Sequence, residues 1–311
     1  MSGIAFIFPG QGAQYIGMGK QIAGEYKSAD MIFSKASEAV GFDVKKMVFE
    51  GNDETLKVTE NTQPVVLTTC IACLQPLLEK GIKPDVVAGL SLGEYTAHVV
   101  AGTLSFNDAV SLVRKRGKFM QEAVPLGVGT MAAIIGLENS MVIECCKIAS
   151  DVGIVEPANF NCPGQIVVAG EVRAVERVVE LCREKGAKRA MVLPVSAPFH
   201  CSMLKPAGER LMAELKTIKL NNIKIPVVTN VTAEYIYDKS VVKELLIRQV
   251  NSPVLWENSI RKMIHNGIDT FVEIGPGKVL SGFIKKIDKD VRTLNIEDIE
   301  SLNNTLNELG C

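Results

Sequence analysis

Short apolar runs alternate along this chain with longer amphipathic stretches, and that alternation narrows the fold more than any other feature. Helices that follow strands in this way cover a parallel sheet, so the pattern predicts an α/β architecture. Strands are expected at Ile4–Phe8, closed by Pro9-Gly10, and at Asp85–Leu90, Ile225–Asn230, Thr270–Ile274 and Arg292–Ile296. A helix is expected at Pro64–Lys80, with proline in its first turn, Gly81 past its end, and Pro76 kinking or shortening it. Others follow at Ser91–Ala101, from Ser105 to about Val124, and at Pro206–Leu215, Val241–Gln249, Trp256–Asn266 and Val279–Ile287. The polar tail Glu297–Cys311 reads as a terminal helix.

The middle of the chain breaks the pattern. Strands at Thr130–Leu137, Val155–Phe160, Gln165–Gly170 and Arg189–Val195, with helices at Ser140–Ser150 and Val172–Gly186, give the order β-α-β-β-α-β. That is the split βαβ or ferredoxin-like unit. The expected organisation is a small subdomain over residues 126–196, inserted into a discontinuous α/β domain of residues 1–125 and 197–311.

Composition narrows the partners. The 34 Lys and Arg against 35 Asp and Glu leave a formal charge of −1, without the basic excess of a nucleic-acid binder. No apolar run reaches the roughly 18 residues that span a bilayer, and no basic segment followed by an apolar stretch opens the chain. Eight cysteines without a secretion signal read as reduced thiols in the cytoplasm.

Gly89-Leu90-Ser91-Leu92-Gly93 is G-x-S-x-G between an expected strand and an expected helix, the setting that this nucleophile motif requires. Glycines on both sides allow close passage of the chain, and Ser91 sits on a strained corner with its hydroxyl exposed at a helix N-terminus, where negative charge is stabilised. A serine needs a base, and the chain holds three histidines. His98 lies seven residues on along the same helix, two turns away and at the wrong height. His265 ends a helix, where a cation suits the dipole. His200, in the loop Ser196–His200 after the inserted unit, is the base by elimination. Asp108 and Asp151 are the aspartates between serine and histidine, and neither makes a convincing third member. A Ser–His dyad oriented by a carbonyl or amide meets the same requirement.

Several motifs then occur in order: Phe8-Pro9-Gly10-Gln11-Gly12-Ala13-Gln14, Gly89-Leu90-Ser91-Leu92-Gly93-Glu94-Tyr95, Arg116-Gly117, Asn161-Cys162-Pro163-Gly164-Gln165, Ala197-Pro198-Phe199-His200-Cys201, Arg248-Gln249, Asn251-Ser252-Pro253-Val254-Leu255-Trp256 and Glu273-Ile274-Gly275-Pro276-Gly277. Together they resemble the malonyl-CoA:acyl carrier protein transacylases of bacterial fatty-acid synthesis, over the chain to about Val291. The resemblance implies a hydrolase-like α/β core with a parallel sheet, interrupted by the ferredoxin-like subdomain. It implies Ser91 as nucleophile, His200 as general acid and base, and Gln249 orienting His200 by carbonyl contact. Gln11 and Leu92 would supply the backbone N–H groups of the oxyanion hole. Arg116 would clamp the malonyl carboxylate, with Met120, Asn161 and Phe199 at the substrate and Phe199 narrowing the pocket against branched acyl groups. Malonyl-CoA and acyl carrier protein are the implied partners of a monomer that needs no metal or other cofactor, the phosphopantetheine being carried by the partner. The position before the serine, often histidine in this family, is Leu90 here.

Competing readings are weaker. Gly10-Gln11-Gly12 lacks the third glycine of a dinucleotide fingerprint, Tyr15 standing there. Cys70 and Cys73 lie in an apolar helix without a second pair, so packing is expected of them, as of Cys201. Arg114 and Lys115 read as solvated helix charges, and Arg183–Arg189 with Lys205 as a basic surface able to attract an acidic carrier. A serine esterase or thioesterase, a polyketide acyltransferase and an idle scaffold are the alternatives to malonyl transfer in fatty-acid synthesis.

Overall fold

The larger sheet is built from strands that are apolar on both faces at its centre, as a covered parallel sheet requires, and more polar at its edge. In the computed structural model, which describes residues 3–195 and 197–310, these are β1 (Gly3–Phe8), β2 (Val86–Gly89), β7 (Val227–Val228), β8 (Tyr235–Ile236), β9 (Ile268–Ile274) and β10 (Arg292–Ile296). Between them run β3 (Gly129–Ile135), β4 (Val155–Cys162), β5 (Gln165–Glu171) and β6 (Arg189–Val192). The helices are α1 (Lys20–Glu25), α2 (Lys27–Val40), α3 (Val44–Glu50), α4 (Asp53–Lys57), α5 (Thr59–Glu79), α6 (Leu92–Val100) and α7 (Phe106–Glu122). They continue with α8 (Asn139–Ala149), α9 (Val172–Glu184), α10 (Lys205–Thr217), α11 (Val242–Val250), α12 (Trp256–His265), α13 (Val279–Ile287) and α14 (Ile299–Leu309). Ser196, in the loop read from the sequence, lies outside the described residues, as do Met1, Ser2 and Cys311.

The larger sheet has the order β10-β9-β1-β2-β7-β8 and is parallel except for the β7–β8 pair. Phe8 pairs with Gly89, so β1 and β2 end level. The loops that follow them, opening at Pro9 and Leu90, therefore lie side by side at the carboxyl edge, where open α/β sheets place their ligands. Leu90 N–H donates to Phe8 O at 3.0 Å and ties the two loops together.

The smaller sheet is antiparallel, in the order β4-β5-β3-β6, with α8 and α9 packed on it through Val142, Cys145, Val175, Val178 and Cys182. This is the strand order of the ferredoxin-like unit. β4 is an edge strand, which is where Pro157 is tolerated. Its outer edge is paired with the other part of the chain: Phe160 N–H donates to Val254 O at 2.9 Å, and Val254 N–H to Ala158 O at 2.8 Å.

The structure corrects several boundaries. α5 begins at Thr59, so Pro64 stands inside the helix rather than in its first turn, and the helix runs on through Pro76 to Glu79. Each proline removes one backbone hydrogen bond. The helix is buried almost all round from Thr62 to Leu74, and this packing outweighs the loss. Residues 20–57 carry four helices where sequence reading assigned nothing. The last central strand shrinks from Ile225–Asn230 to Val227–Val228, which leaves Asn230 beyond its end, and β6 ends at Val192 rather than Val195.

Candidate active site

The Ser91 corner is shaped by steric exclusion at its two glycines. A Cβ on Gly89 would lie 2.0 Å from the carbonyl of Gly93, and one on Gly93 would lie 2.1 Å from Phe8 O, so neither position can carry a side chain. Ser91 itself has φ 53° and ψ −103°, a strained backbone for a residue with a Cβ. At the N-cap of a helix a serine hydroxyl usually accepts a backbone N–H. Here it does not cap α6, and Oγ lies 2.6 Å from His200 Nε2 instead.

His200 is brought 109 positions along the chain to reach that oxygen, and it too has a positive φ, 62°. Its Nδ1 lies 2.8 Å from the main-chain carbonyl of Gln249. A carbonyl can only accept, so Nδ1 carries the proton and Nε2 presents its lone pair to Ser91. Gln249 stands in the last turn of α11, where carbonyls lack helix partners and the dipole is negative. That carbonyl occupies the place on Nδ1 that a carboxylate takes in a Ser-His-Asp arrangement. Burial, followed by the charge of Arg116, pushes the imidazole pKa down to about 4, against the opposing pull of the Gln249 and Ser252 carbonyls. The ring is neutral at pH 7 and ready to accept a proton.

Arg116, on α7, is 1% exposed. Its hydrogen-bond acceptors are all neutral: Gln63 Oε1 at 2.8 Å, Gln249 Oε1 at 2.9 Å and Ser91 Oγ at 3.1 Å. The guanidinium lies 5.2 Å from the centre of the Tyr95 ring, and Nε is buried without a hydrogen-bond partner among the described residues. Burial pulls the Arg116 pKa down, with Tyr95 and Glu94 opposing. A buried cation whose direct hydrogen-bond acceptors are all neutral, beside a serine hydroxyl, suits an anion. Arg114 and Lys115 are not free surface charges: Arg114 pairs with Glu60 at 3.2 Å, and Lys115 with Glu214 at 2.7 Å.

Gln11 follows β1, its Nε2 donating to Thr59 Oγ1 at 3.2 Å, and Leu92 opens α6 directly after Ser91. Met120 is buried one turn beyond Arg116, with Sδ 3.8 Å from Gln63 Nε2. Phe199 is buried beside His200, and Asn161 is buried near the carboxyl end of β4.

Three residues that sequence reading passed over complete the site. Asn230 grips the corner from both sides: Oδ1 accepts the Ser91 N–H at 2.6 Å, and Nδ2 donates to Gly89 O at 2.7 Å. Glu94 is fully buried and accepts from Asn230 N–H at 3.0 Å and Gln249 Nε2 at 2.8 Å. Burial raises its pKa to about 7, against the lowering effect of those donors and Arg116. Gln63 holds Arg116. Buried polar residues of this kind carry no periodic signal. The position of Glu94, three after the nucleophile on a helix with an apolar face, was the one available hint.

His98 is buried in α6, with both ring nitrogens lacking partners among the described residues and a pKa lowered to about 4 by burial. His265 is the last residue of α12. Cys70, Cys73 and Cys201 are buried, Cys201 Sγ donating to Pro198 O at 3.1 Å. Among the described residues no cluster of three or more His, Cys, Asp or Glu side chains could hold a metal ion, and no helix is long and apolar enough to cross a membrane.

The sequence matches the acyl transferase domain over residues 5–302. It is 48% identical over 303 residues to the malonyl CoA-acyl carrier protein transacylase of Bacillus subtilis, covering 97% of this chain and 96% of the relative. The crystal structure of a malonyl CoA-acyl carrier protein transacylase from Clostridium perfringens is similar with a TM-score of 0.96 at 48% identity, covering 99% of this chain and 98% of that one. A malonyl-transacylase solved in complex with its type II PKS acyl-carrier protein is similar with a TM-score of 0.97 at 40% identity, covering 99% of this chain and all 100% of that one.

Proposed function

The chain belongs to the acyl transferase domain family, and on that premise we propose that it moves the malonyl group of malonyl-CoA to the phosphopantetheine thiol of an acyl carrier protein, supplying fatty-acid synthesis. The observation that carries this reading is the buried Arg116 guanidinium, held by neutral acceptors 3.1 Å from Ser91 Oγ. A donor that ends in a carboxylate can pair directly with this guanidinium and be oriented by it, a contact that a plain acyl group does not make.

In the first half-reaction His200 Nε2 takes the Ser91 proton as Oγ attacks the thioester carbonyl. The oxyanion forms at the N-terminus of α6, against the main-chain N–H groups of Leu92 and Gln11, each worth about 3–4 kcal/mol in comparable sites. The Gln249 carbonyl stabilises the imidazolium that results. His200 then returns the proton to the sulfur of CoA as the C–S bond breaks, leaving malonyl-Ser91. The carrier thiol attacks this ester, passing its proton to His200, and Ser91 leaves with that proton restored. The cycle is ping-pong: the proton that Ser91 gives up to CoA is restored by the carrier thiol, and His200 relays both. Residues 126–196 act as an inserted subdomain in this reading, and the protein works as a cytoplasmic monomer.

The test is intact-protein mass spectrometry after mixing with malonyl-CoA, followed by a chase with phosphopantetheinylated carrier. The wild type should gain a malonyl adduct that Ser91→Ala lacks, and the adduct should pass whole to the carrier. Decay to free malonate at one rate with and without carrier would make the protein a thioesterase.

A further inference from the structure

Short local hydrogen bonds, Phe199 N–H to Ala197 O and Cys201 Sγ to Pro198 O, both 3.1 Å, are joined in the His200 loop by contacts from distant segments. A non-glycine residue at φ 62° is strained and persists where surrounding contacts impose it. Two segments set the position of the imidazole: the loop that continues through Cys201 and Ser202, and the stretch just beyond Gln249, whose carbonyl anchors Nδ1. Both converge on β4 of the smaller sheet. Ser202 N–H donates to Glu156 Oε2 at 2.7 Å. Val254 N–H donates to Ala158 O at 2.8 Å, and Phe160 N–H to Val254 O at 2.9 Å.

The register of β4 explains how one strand does both. Its pairing with β5 slips between Pro157 and Asn159 and again between Phe160 and Cys162. Such bulges bend an edge strand and re-aim its groups. We propose that Glu156 is a positioning residue for acyl transfer: its carboxylate holds the loop after His200 while the main chain of the same strand holds the segment after Gln249, so that the smaller sheet sets the aim of the base. This rests on His200 acting as the base. Glu156 touches neither substrate nor reacting atoms, and its effect passes through the Ser202 N–H.

Three substitutions separate the possible contributions of this carboxylate. Glu156→Gln keeps an acceptor and removes the charge. Glu156→Asp keeps the charge but shortens the reach by one methylene, about 1.5 Å. Glu156→Ala removes both. Steady-state transfer from malonyl-CoA should stay within about threefold of wild type for Glu156→Gln. For Glu156→Asp and Glu156→Ala, kcat should fall about tenfold to thirtyfold with KM within about threefold, as expected of a misaimed base. The pH profile of kcat/KM supplies the readout that plain destabilisation does not move. The charged group facing His200 is Arg116 from α7, with Glu94 from α6 behind Gln249. With those unchanged, a loosened loop that admits water should raise the acid limb from about 4 toward the ordinary histidine value of 6.5. Glu156 is only half-buried, so Glu156→Asp is expected to fold even if Glu156→Ala does not. Two results would overturn the proposal: Glu156→Asp within about twofold of wild type with an unmoved acid limb, or Glu156→Gln falling as far as Glu156→Ala. His200→Ala serves as the control. If it retains transfer the assignment of the base fails, and if it is inactive while Glu156→Asp is normal only the tether fails.

Discussion

The corner that carries Ser91 and the loop that carries His200 meet at 2.6 Å and both hold a non-glycine residue at positive φ, yet they are built on opposite principles. The corner is fixed by steric exclusion at its two glycines, Gly89 against Gly93 and Gly93 against Phe8, with Asn230 clamping it from outside. The loop is determined from afar, by Gln249 at 49 positions, Glu156 at 46 from Ser202, and Ser91 at 109. Local steric exclusion gives a rigid nucleophile that announces itself. A base held by distant hydrogen bonds has no such signature, and its aim depends on every element that delivers a partner.

Substitutions can sharpen this contrast, beginning with the largest effect. Ser91→Ala should lower kcat for transfer by about 10⁴-fold or more, measured with malonyl-CoA and carrier at saturation. His200→Ala should cost about 10³–10⁴-fold, and a loss below tenfold would break the pairing of the two regions. Gly93→Ala tests the local side: forcing a Cβ against Phe8 O should destabilise the protein by about 3 kcal/mol or more, read as a fall in the urea midpoint. If it were tolerated with full activity, the corner would not be sterically determined. Arg116→Lys replaces a planar fork with a point charge and should reduce kcat/KM for malonyl-CoA by about 10²-fold, while any rate with acetyl-CoA should change little.

The smallest effect concerns pH. A depressed pKa keeps the base neutral, and activity is lost as pH falls through the folded-state value. The acid limb of kcat/KM should therefore lie near 4, where an ordinary histidine would already be half protonated at 6.5. A limb at 6.5 would mean that the loop is open to water when substrate binds.

Much of the frame was legible. The alternation of apolar runs and helices located β1, β2, β9 and β10, and the β-α-β-β-α-β order matches the second sheet. The start of α5 was missed because Pro64 reads as a helix opener, whereas burial on all sides carries the helix across it. Ala29, Ile32, Phe33 and Ala36 have helical spacing and are buried on one face of α2, a signal that was present and not read. At the site, G-x-S-x-G pointed to Ser91 and elimination to His200. Arg116 emerged from a family resemblance, since a single arginine beside Arg114 and Lys115 has no mark of its own. Asn230 follows a strand of two residues and was counted as part of it.

Sequence by itself determined the layered α/β plan and marked the G-x-S-x-G turn, because hydrophobic period and the two glycines are read along the chain, whereas the Gly93–Phe8 approach and the Asn230 clamp come from packing. Tertiary structure placed the Gln249 carbonyl on His200 Nδ1, the contact that the resemblance implies, and it alone showed that Arg116 is buried without a hydrogen-bonded carboxylate and that Asn230, Glu94 and Gln63 hold the cluster. Those are hydrogen bonds across 25 to 158 positions, and they exist only after packing has brought their donors and acceptors out of water together.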